Sequence, residues 1–449
     1  MQEVGYLNPM KNTRYKRIFS LALPIIGGMI SQNVLNLVDT AMVGSLGNAA
    51  LAAVGLGGFA TFMGQSLILG ISTGVQALAA RRKGEGHLEQ TAFPLNAALI
   101  LVFVASIILS TFFYYTIPSI YHFLNSDPAV IEVGSPYLQI RLLGIIFVGS
   151  NFAFRGFWNA IDLSKIYLFT LVIMHICNIL LNYALIFGNL GMPQLGVSGA
   201  ALGTTISTAI GTSIYFILGF SYARKNGFFK VFPTWKNLSA LVKLSLPSSI
   251  QQLFFAAGFT ALYWIIGKIG TVELAATNVL INVMLLAILP AIGLGLAAAT
   301  LVGQALGLKR PADAMAWGYD VVKIGVVGIG IVGLPMIFAA EPIIRLFVQD
   351  PLTIAVGKLP MQLTGLTIFM EGISLVLMNA LLGAGDAKAV MQISISTQWF
   401  LFLPLAYICG PLLGMGLLAV WILQIAYRLL LSWIYFNRWK KGHWKTINI

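Results

Sequence analysis

Asp39 lies inside a long apolar run, where an ionised carboxylate costs several kcal/mol unless it faces protein or water. Gln32, Asn36 and Asp39 are spaced i, i+4 and i+7, so they share one helical face, with Asn33 and Thr40 beside them. Later in the same half of the chain, Asn178 and Asn182 are one turn apart, Thr204 and Thr205 are adjacent, and Tyr137 precedes Arg141 by one turn. A carboxylate, two amides, hydroxyls and a phenol are the groups that would hold a proton or a small cation. They would serve equally well as hydrogen bonds between helices in lipid. A second intramembrane acid, Glu371, adjoins Met370 within a methionine-rich stretch that includes Met361 and Met378. Phe254, Phe255, Phe259, Tyr263 and Trp264 supply aromatic rings elsewhere in that half. Aromatic faces and thioethers accommodate varied apolar cations, and Glu371 would add a negative charge, although such a stripe is also ordinary helix packing.

The elements that must carry these groups are membrane spans. With 58% hydrophobic and 9% charged residues in 449, the chain is far too apolar for a soluble protein. Windows of about 20 apolar residues place twelve spans near 17–43, 51–79, 95–117, 138–160, 166–188, 197–222, 244–266, 276–305, 321–340, 362–383, 391–413 and 416–437. The formal charge of +13 suggests nucleic acid only until the positions are read. Lys11, Arg14, Lys16, Arg17, Arg81, Arg82, Lys83, Arg155, Lys165, Arg224, Lys225, Lys309, Arg310, Lys388 and Arg438 fall at alternate span ends. That asymmetry puts both termini in the cytoplasm of a multi-pass plasma (inner) membrane protein, with lipid headgroups rather than nucleic acid as the partner of the charge. Asp39, Asn182 and Thr204 then reach similar depths in the outer half, Asp39 about 7 to 8 Å from the end of its span.

Enzyme chemistry finds little support. His87, His122, His175 and His443 are scattered, and only His175 lies within a span, where a hydrogen bond to a neighbouring helix or a proton relay is expected. Cys177 and Cys409 lie in spans and read as packed thiols. The run Gly328 to Gly333 satisfies GxGxxG only formally, since no strand precedes it. No cofactor is expected.

Halfway along, the sequence begins again. Leu21 to Pro24 returns as Leu244 to Pro247, a shift of 223 that also carries Gly44, Gly70, Gly84, Asp127 and Gln139 onto Gly267, Gly293, Gly307, Asp350 and Gln362. Six spans per copy bring the chain back to its starting side. The expected fold is therefore an all-α polytopic membrane protein with two parallel six-helix lobes related by a pseudo-twofold axis. The lobes are 1–222 and 244–449, and 223–243 is a basic cytoplasmic linker whose Phe228, Phe229, Phe232 and Trp235 would lie along the membrane surface. Asp39 falls opposite Leu262, so the copies share a scaffold and differ in chemistry. Pro24 and Pro247 each remove a backbone hydrogen bond near the start of an equivalent span and are candidate hinges.

The run Val38 to Gly44 (Val-Asp-Thr-Ala-Met-Val-Gly), the run Leu46 to Gly55, the opening Leu-Pro and the two parallel sixes together resemble the multidrug and toxic compound extrusion (MATE) transporters over essentially the whole chain. The resemblance implies a V-shaped pair of lobes and antiport of organic cations or amphipathic drugs against H+ or Na+. It implies that Asp39 is the essential first-helix acid, that Asn178, Tyr137 and Thr204 are polar partners of the ion site, and that Pro24 is the bending proline. Asn182 stands where many relatives have an aspartate, and Ala256 where one branch has a glutamate, while Glu371 matches a second-lobe acid of that branch. With one carboxylate missing from the first lobe, proton coupling is favoured and sodium at Asp39 is the alternative. A monomer is expected. The rival readings are a lipid-linked saccharide flippase of the same superfamily, for which Arg141, Lys323 and Arg428 are the candidate cations, and a non-transporting membrane scaffold or receptor.

Overall fold

Long apolar runs leave no water to satisfy peptide groups, and a helix satisfies them within itself. The computed structural model describes residues 11–124 and 127–449, which are helical almost throughout, with no strand among the described residues. The first half contains α1 (Lys11–Gly44), α2 (Asn48–Gly84), α3 (Phe93–Leu124), α4 (Pro128–Leu143), α5 (Ile145–Ala160), α6 (Ser164–Phe187) and α7 (Gly196–Leu218). The second contains α8 (Trp235–Gly267), α9 (Thr271–Ala287), α10 (Leu289–Gly307), α11 (Pro311–Phe338), α12 (Ala340–Arg345), α13 (Pro351–Thr367), α14 (Phe369–Ala384), α15 (Ala387–Ile395), α16 (Leu403–Tyr407) and α17 (Gly416–Lys441). Ten stretches among the described residues are long and apolar enough to cross a membrane, and twelve if α4–α5 and α13–α14 each count as one bent span.

The repeat is visible in local structure. Asp127 caps α4 by accepting from the Ala129 amide, and Asp350 caps α13 by accepting from the Thr353 amide at 2.8 Å. The following bends, 45° and 54°, fall at Gly144 and Ile368, equivalent within one residue under the shift of 223. Pro24 and Pro247 both lie inside α1 and α8 without ending either helix.

The axis relating the halves can be located. Across a twofold axis parallel to two helices, equivalent residues meet each other, and on α2 and α10 they do. A Cβ on Gly303 would stand 2.9 Å from the Cβ of its counterpart Ala80, and one on Gly307 would stand 2.8 Å from the Cα of its counterpart Gly84. The same pairing appears off the axis: Gly70 on α2 meets Ser249 on α8, and its counterpart Gly293 on α10 meets Ile26 on α1. Small residues at these positions let the backbones approach in lipid.

Between the halves the structure departs from the sequence reading. Residues 223–243 are not one linker, because α8 already starts at Trp235, capped by the Thr234 hydroxyl. Phe228 is fully buried against Phe154, Phe216 and Phe220, whereas Phe232 and Trp235 are exposed, as an interfacial segment requires. Asn237 accepts a hydrogen bond from Arg82.

Candidate ion and substrate sites

Three helices of the first half converge on Asp39. Its Oδ1 accepts from Asn182 Nδ2 on α6 at 2.9 Å, and that same nitrogen donates to Asn178 Oδ1 at 3.1 Å. Asn178 donates onward to Ser207 Oγ on α7 at 3.4 Å. Both asparagines are completely buried, and Asn182 fits only because residue 203 is glycine, where a Cβ would overlap the Asn182 Oδ1. That oxygen has no hydrogen-bond partner among the described residues. A buried acceptor left unpaired costs about 1–3 kcal/mol, so the site carries a polar atom that its own side chains do not satisfy. Tyr137 and Arg141 on α4 lie near enough to Asp39 to interact with it electrostatically.

Of the six first-half residues expected at the site, Asp39, Asn182 and Asn178 form one connected chain, and Tyr137 stands beside it. Thr204 and Asn36 do not bond Asp39. The Thr204 hydroxyl donates to the Ala200 carbonyl in its own helix, and exposed Asn36 accepts from Gln32 at 3.2 Å. Ser207 was not anticipated, although its spacing one turn beyond Gly203 could have indicated it. His175 is hydrogen-bonded to α1 rather than merely packed.

The second half corrects the expectation for Glu371. Its carboxylate is not a free charge: Arg428 Nε on α17 lies 2.9 Å from Oε1, and Nη1 donates to Oε2 at 3.4 Å. Both side chains are buried, at 7% and 15% exposure, so the pair is internally neutral. It borders a small cavity lined by Met284, Met370, Trp421 and Gln424, whose Oε1 is buried and unpaired among the described residues. The aromatic residues expected on the same wall lie elsewhere. Phe255 and Phe259 pack edge to face on α8 at 5.0 Å, and Tyr263 donates to Asn278 on α9 at 3.3 Å. Met370 and Glu371 are therefore together at this cavity, and Phe255, Phe259 and Tyr263 are not among its lining residues. Met361 is buried in the core.

The description MatE matches the chain twice, over residues 24–184 and 247–408, beginning at the two equivalent prolines. The chain belongs to the MatE family. A probable multidrug resistance protein NorM of Thermotoga maritima is 27% identical over 437 residues, covering 95% of this chain and 93% of that protein. A second probable NorM, from Agrobacterium fabrum, is 28% identical over 91% of this chain and 90% of its own length. A solved multidrug resistance MATE family transporter of the MOP superfamily, in an outward-facing conformation, superposes with a TM-score of 0.88 at 21% identity, covering 97% of both chains. This MatE protein is thus a multi-pass membrane transporter rather than an enzyme.

At the end that carries the termini, the MatE halves are tied by charges. Arg14 on α1 pairs with Asp313 at 2.6 Å and Asp320 at 2.7 Å on α11, and its guanidinium lies 3.7 Å over Trp317. Asp162, between α5 and α6, receives Lys83 at 2.7 Å, Arg17 at 3.6 Å and Gln304 Nε2 of α10 at 3.1 Å. Gln304 also donates to the Ala160 carbonyl at 2.8 Å, and Gln76 to the Leu296 carbonyl at 2.7 Å. Sequence reasoning assigned these cations to lipid headgroups. The overlooked signal was the presence of acids, Asp162, Asp313 and Asp320, among the basic segments.

Proposed function

We propose that this protein is an antiporter that exports organic cations and amphipathic drugs in exchange for protons taken up at Asp39. The observation that carries the reading is the hydrogen bond from Asn182 to the Asp39 carboxylate, deep in a span and present in only one copy of the repeat. An ionised Asp39 accepts that bond with full charge assistance, whereas a protonated Asp39 accepts it more weakly and carries a donor of its own, so protonation changes the hydrogen bonding between α1 and α6. Proton binding is thereby tied to helix packing. Asp39 is the one carboxylate in this hydrogen-bonded chain, which favours a proton over sodium as the ion. The two NorM relatives, named for multidrug resistance, support the substrate class.

With both termini cytoplasmic, as the charge distribution implies, the Arg14 ion pairs close the inner side, and exposed Gln32 and Asn36 face the open outer side. The substrate meets aromatic faces, Phe255, Phe259 and Tyr263, because Glu371 is already neutralised. The saccharide-flippase reading needs unpaired cations, yet Arg141 faces Asp39, Arg428 pairs with Glu371, and Lys323 lies 3.7 Å from Asp320. One charge moved across 100 mV supplies roughly 2.3 kcal/mol before any concentration gradient is added.

The test is efflux of an ethidium-like cation from proteoliposomes, driven separately by a pH gradient and a sodium gradient. The pH gradient alone should drive efflux, and Asp39→Asn should abolish it. Efflux driven only by sodium would overturn the proton assignment. Folded protein that responds to neither gradient would overturn antiport.

A further inference from the structure

About two turns along α1 from Asp39, toward Pro24, a second polar tie joins α1 to α6. Ser31 Oγ lies 2.7 Å from His175 Nδ1, and His175 Nε2 lies 3.2 Å from Gln32 Oε1. His175 is 6% exposed. The tautomer follows from the network. Gln32 uses its Nε2 to donate to Asn36 Oδ1 at 3.2 Å, so its Oε1 is the acceptor facing the ring. His175 Nε2 therefore carries the hydrogen, and Nδ1 accepts from the Ser31 hydroxyl. Under the repeat, Ser31, Gln32 and His175 correspond to Phe254, Phe255 and Gln398, so the tie exists only in the half that holds Asp39.

We propose that His175 is a second protonatable residue of the transport cycle, a positioning residue whose proton controls the bend of α1. The inference rests on the proton-antiport reading and adds a residue to it. A proton arriving at Nδ1 turns that atom into a donor, and the Ser31 hydroxyl must then accept. Its hydrogen turns back toward the α1 carbonyls one turn earlier, at residues 27 and 28, just beyond Pro24. A serine that bonds back into its own helix loosens and bends that helix, and here it does so beside a turn that proline has already deprived of a hydrogen bond. His175 stays bonded to both residues throughout, so the proton changes the direction of a hydrogen bond and leaves no buried group unpaired.

Few other charges compete for this position. On α1 the nearest acid is Asp39, and the helix's cations, Lys11, Arg14, Lys16 and Arg17, lie at its other end. On α5, Arg155 donates to Ser72, and on α7 the titratable group is Tyr215, whose hydroxyl donates to the Tyr167 carbonyl. On α6 itself, Lys165 and Tyr167 lie near the start, and Cys177 and Tyr183 follow His175.

The experiment uses full-length protein in lipid nanodiscs and proteoliposomes, with Cys177 and Cys409 replaced by serine and spin labels on α1 on either side of Pro24. For the parent protein the label distance should shift as pH falls. Ser31→Ala retains the imidazole but has no hydroxyl to redirect, and His175→Gln retains hydrogen bonding without titration. Both should lose that shift and flatten the pH profile of efflux while still requiring Asp39. A shift and profile unchanged in both variants would overturn the role of His175. If Asp39→Asn retained gradient-driven efflux, proton uptake at Asp39 would fail, and if the parent protein responded to neither gradient, antiport would fail, so these failures are distinguishable from that of His175.

Discussion

Arg14 carries the ion pairs that join the two halves, and Asp162→Asn is the control for it, because the cations paired with Asp162, Lys83 and Arg17, lie in its own half. Asp162 adopts a left-handed backbone, φ 67°, which asparagine tolerates as readily as aspartate, so the exchange removes charge without adding backbone strain. The carboxylate is 31% exposed, and its partners Lys83 and Arg17 are 25% and 33% exposed, so solvent screens both pairs. Partly exposed pairs are each worth about 0.2–1 kcal/mol, and the substituted amide would keep an oxygen for Gln304. The expected loss is therefore about 1 kcal/mol within the first half, and the contact with α10 through Gln304 survives. Arg14→Gln should weigh more. Arg14 is only 12% exposed and bridges two acids of the other half, but Asp313 and Asp320 are 34% and 20% exposed and Lys323 remains beside Asp320, so the cost falls below the range of about 3–5 kcal/mol for a fully buried pair. Spin labels at exposed Lys165 and Lys309, on opposite sides of the contact, report the separated population directly. Arg14→Gln should raise that population, and Asp162→Asn should leave it nearly unchanged. If Arg14→Gln did not change the distance distribution, the charged ties would not set the conformational balance, and packing of α2 on α10 would have to carry it alone.

Two further outcomes follow from pairs outside the Asp39 site. Glu371→Gln leaves Arg428 buried and uncompensated, so it should lower the thermal unfolding midpoint, by an amount corresponding to about 3–5 kcal/mol. The double change Glu371→Gln with Arg428→Met should recover most of that loss, and a double variant as unstable as the single one would show that the pair is not self-contained. Outside the spans, hydrogen bonds from the Thr353 hydroxyl and amide hold the Asp350 carboxyl below its usual range. A depressed folded value means the stabilisation is present above the unfolded value, about pH 3.9, and is lost as pH falls through the folded one. Amide exchange at the first turn of α13 should therefore accelerate only in acid and be fast at all pH in Asp350→Ala. Slow exchange persisting in that variant would remove the cap's importance.

How much could be read in advance depended on range. The apolar spans, the repeat and the Asp39 face are written in local periodicity, and Asp127 and Asp350 announce their caps by a following proline. The partners of Glu371 and Arg14 are not local. Glu371 and Arg428 are 57 residues apart, and Arg14 and Asp313 are 299 apart, so only packing reveals that these charges cancel. The hydrogen bond of Thr204 was not legible for a related reason: a threonine in a helix can donate its hydroxyl to its own backbone, and periodicity does not distinguish that from donating to a neighbour.

The broken symmetry of the repeat unites these sites. Equivalent residues meeting along α2 and α10 provide a contact that the scaffold makes identically from both sides, and such a contact carries no information about which half has bound an ion. Directional coupling has to come from positions where the copies differ. Asp39 faces Leu262 under the shift, His175 faces Gln398, and Asp162 faces Gly385. The last pair is the most telling, because both residues have left-handed backbones, φ 67° and φ 95°. Glycine adopts that conformation freely, whereas an aspartate there is disfavoured. The first half accepts that cost at the one turn from which a carboxylate reaches Lys83 and Arg17 of its own half and Gln304 of the other. Asp39, the His175 tie and Asp162 thus all lie in the first copy, so under the proposed antiport a proton entering there would act on the same group of helices that Arg14 joins to the second half.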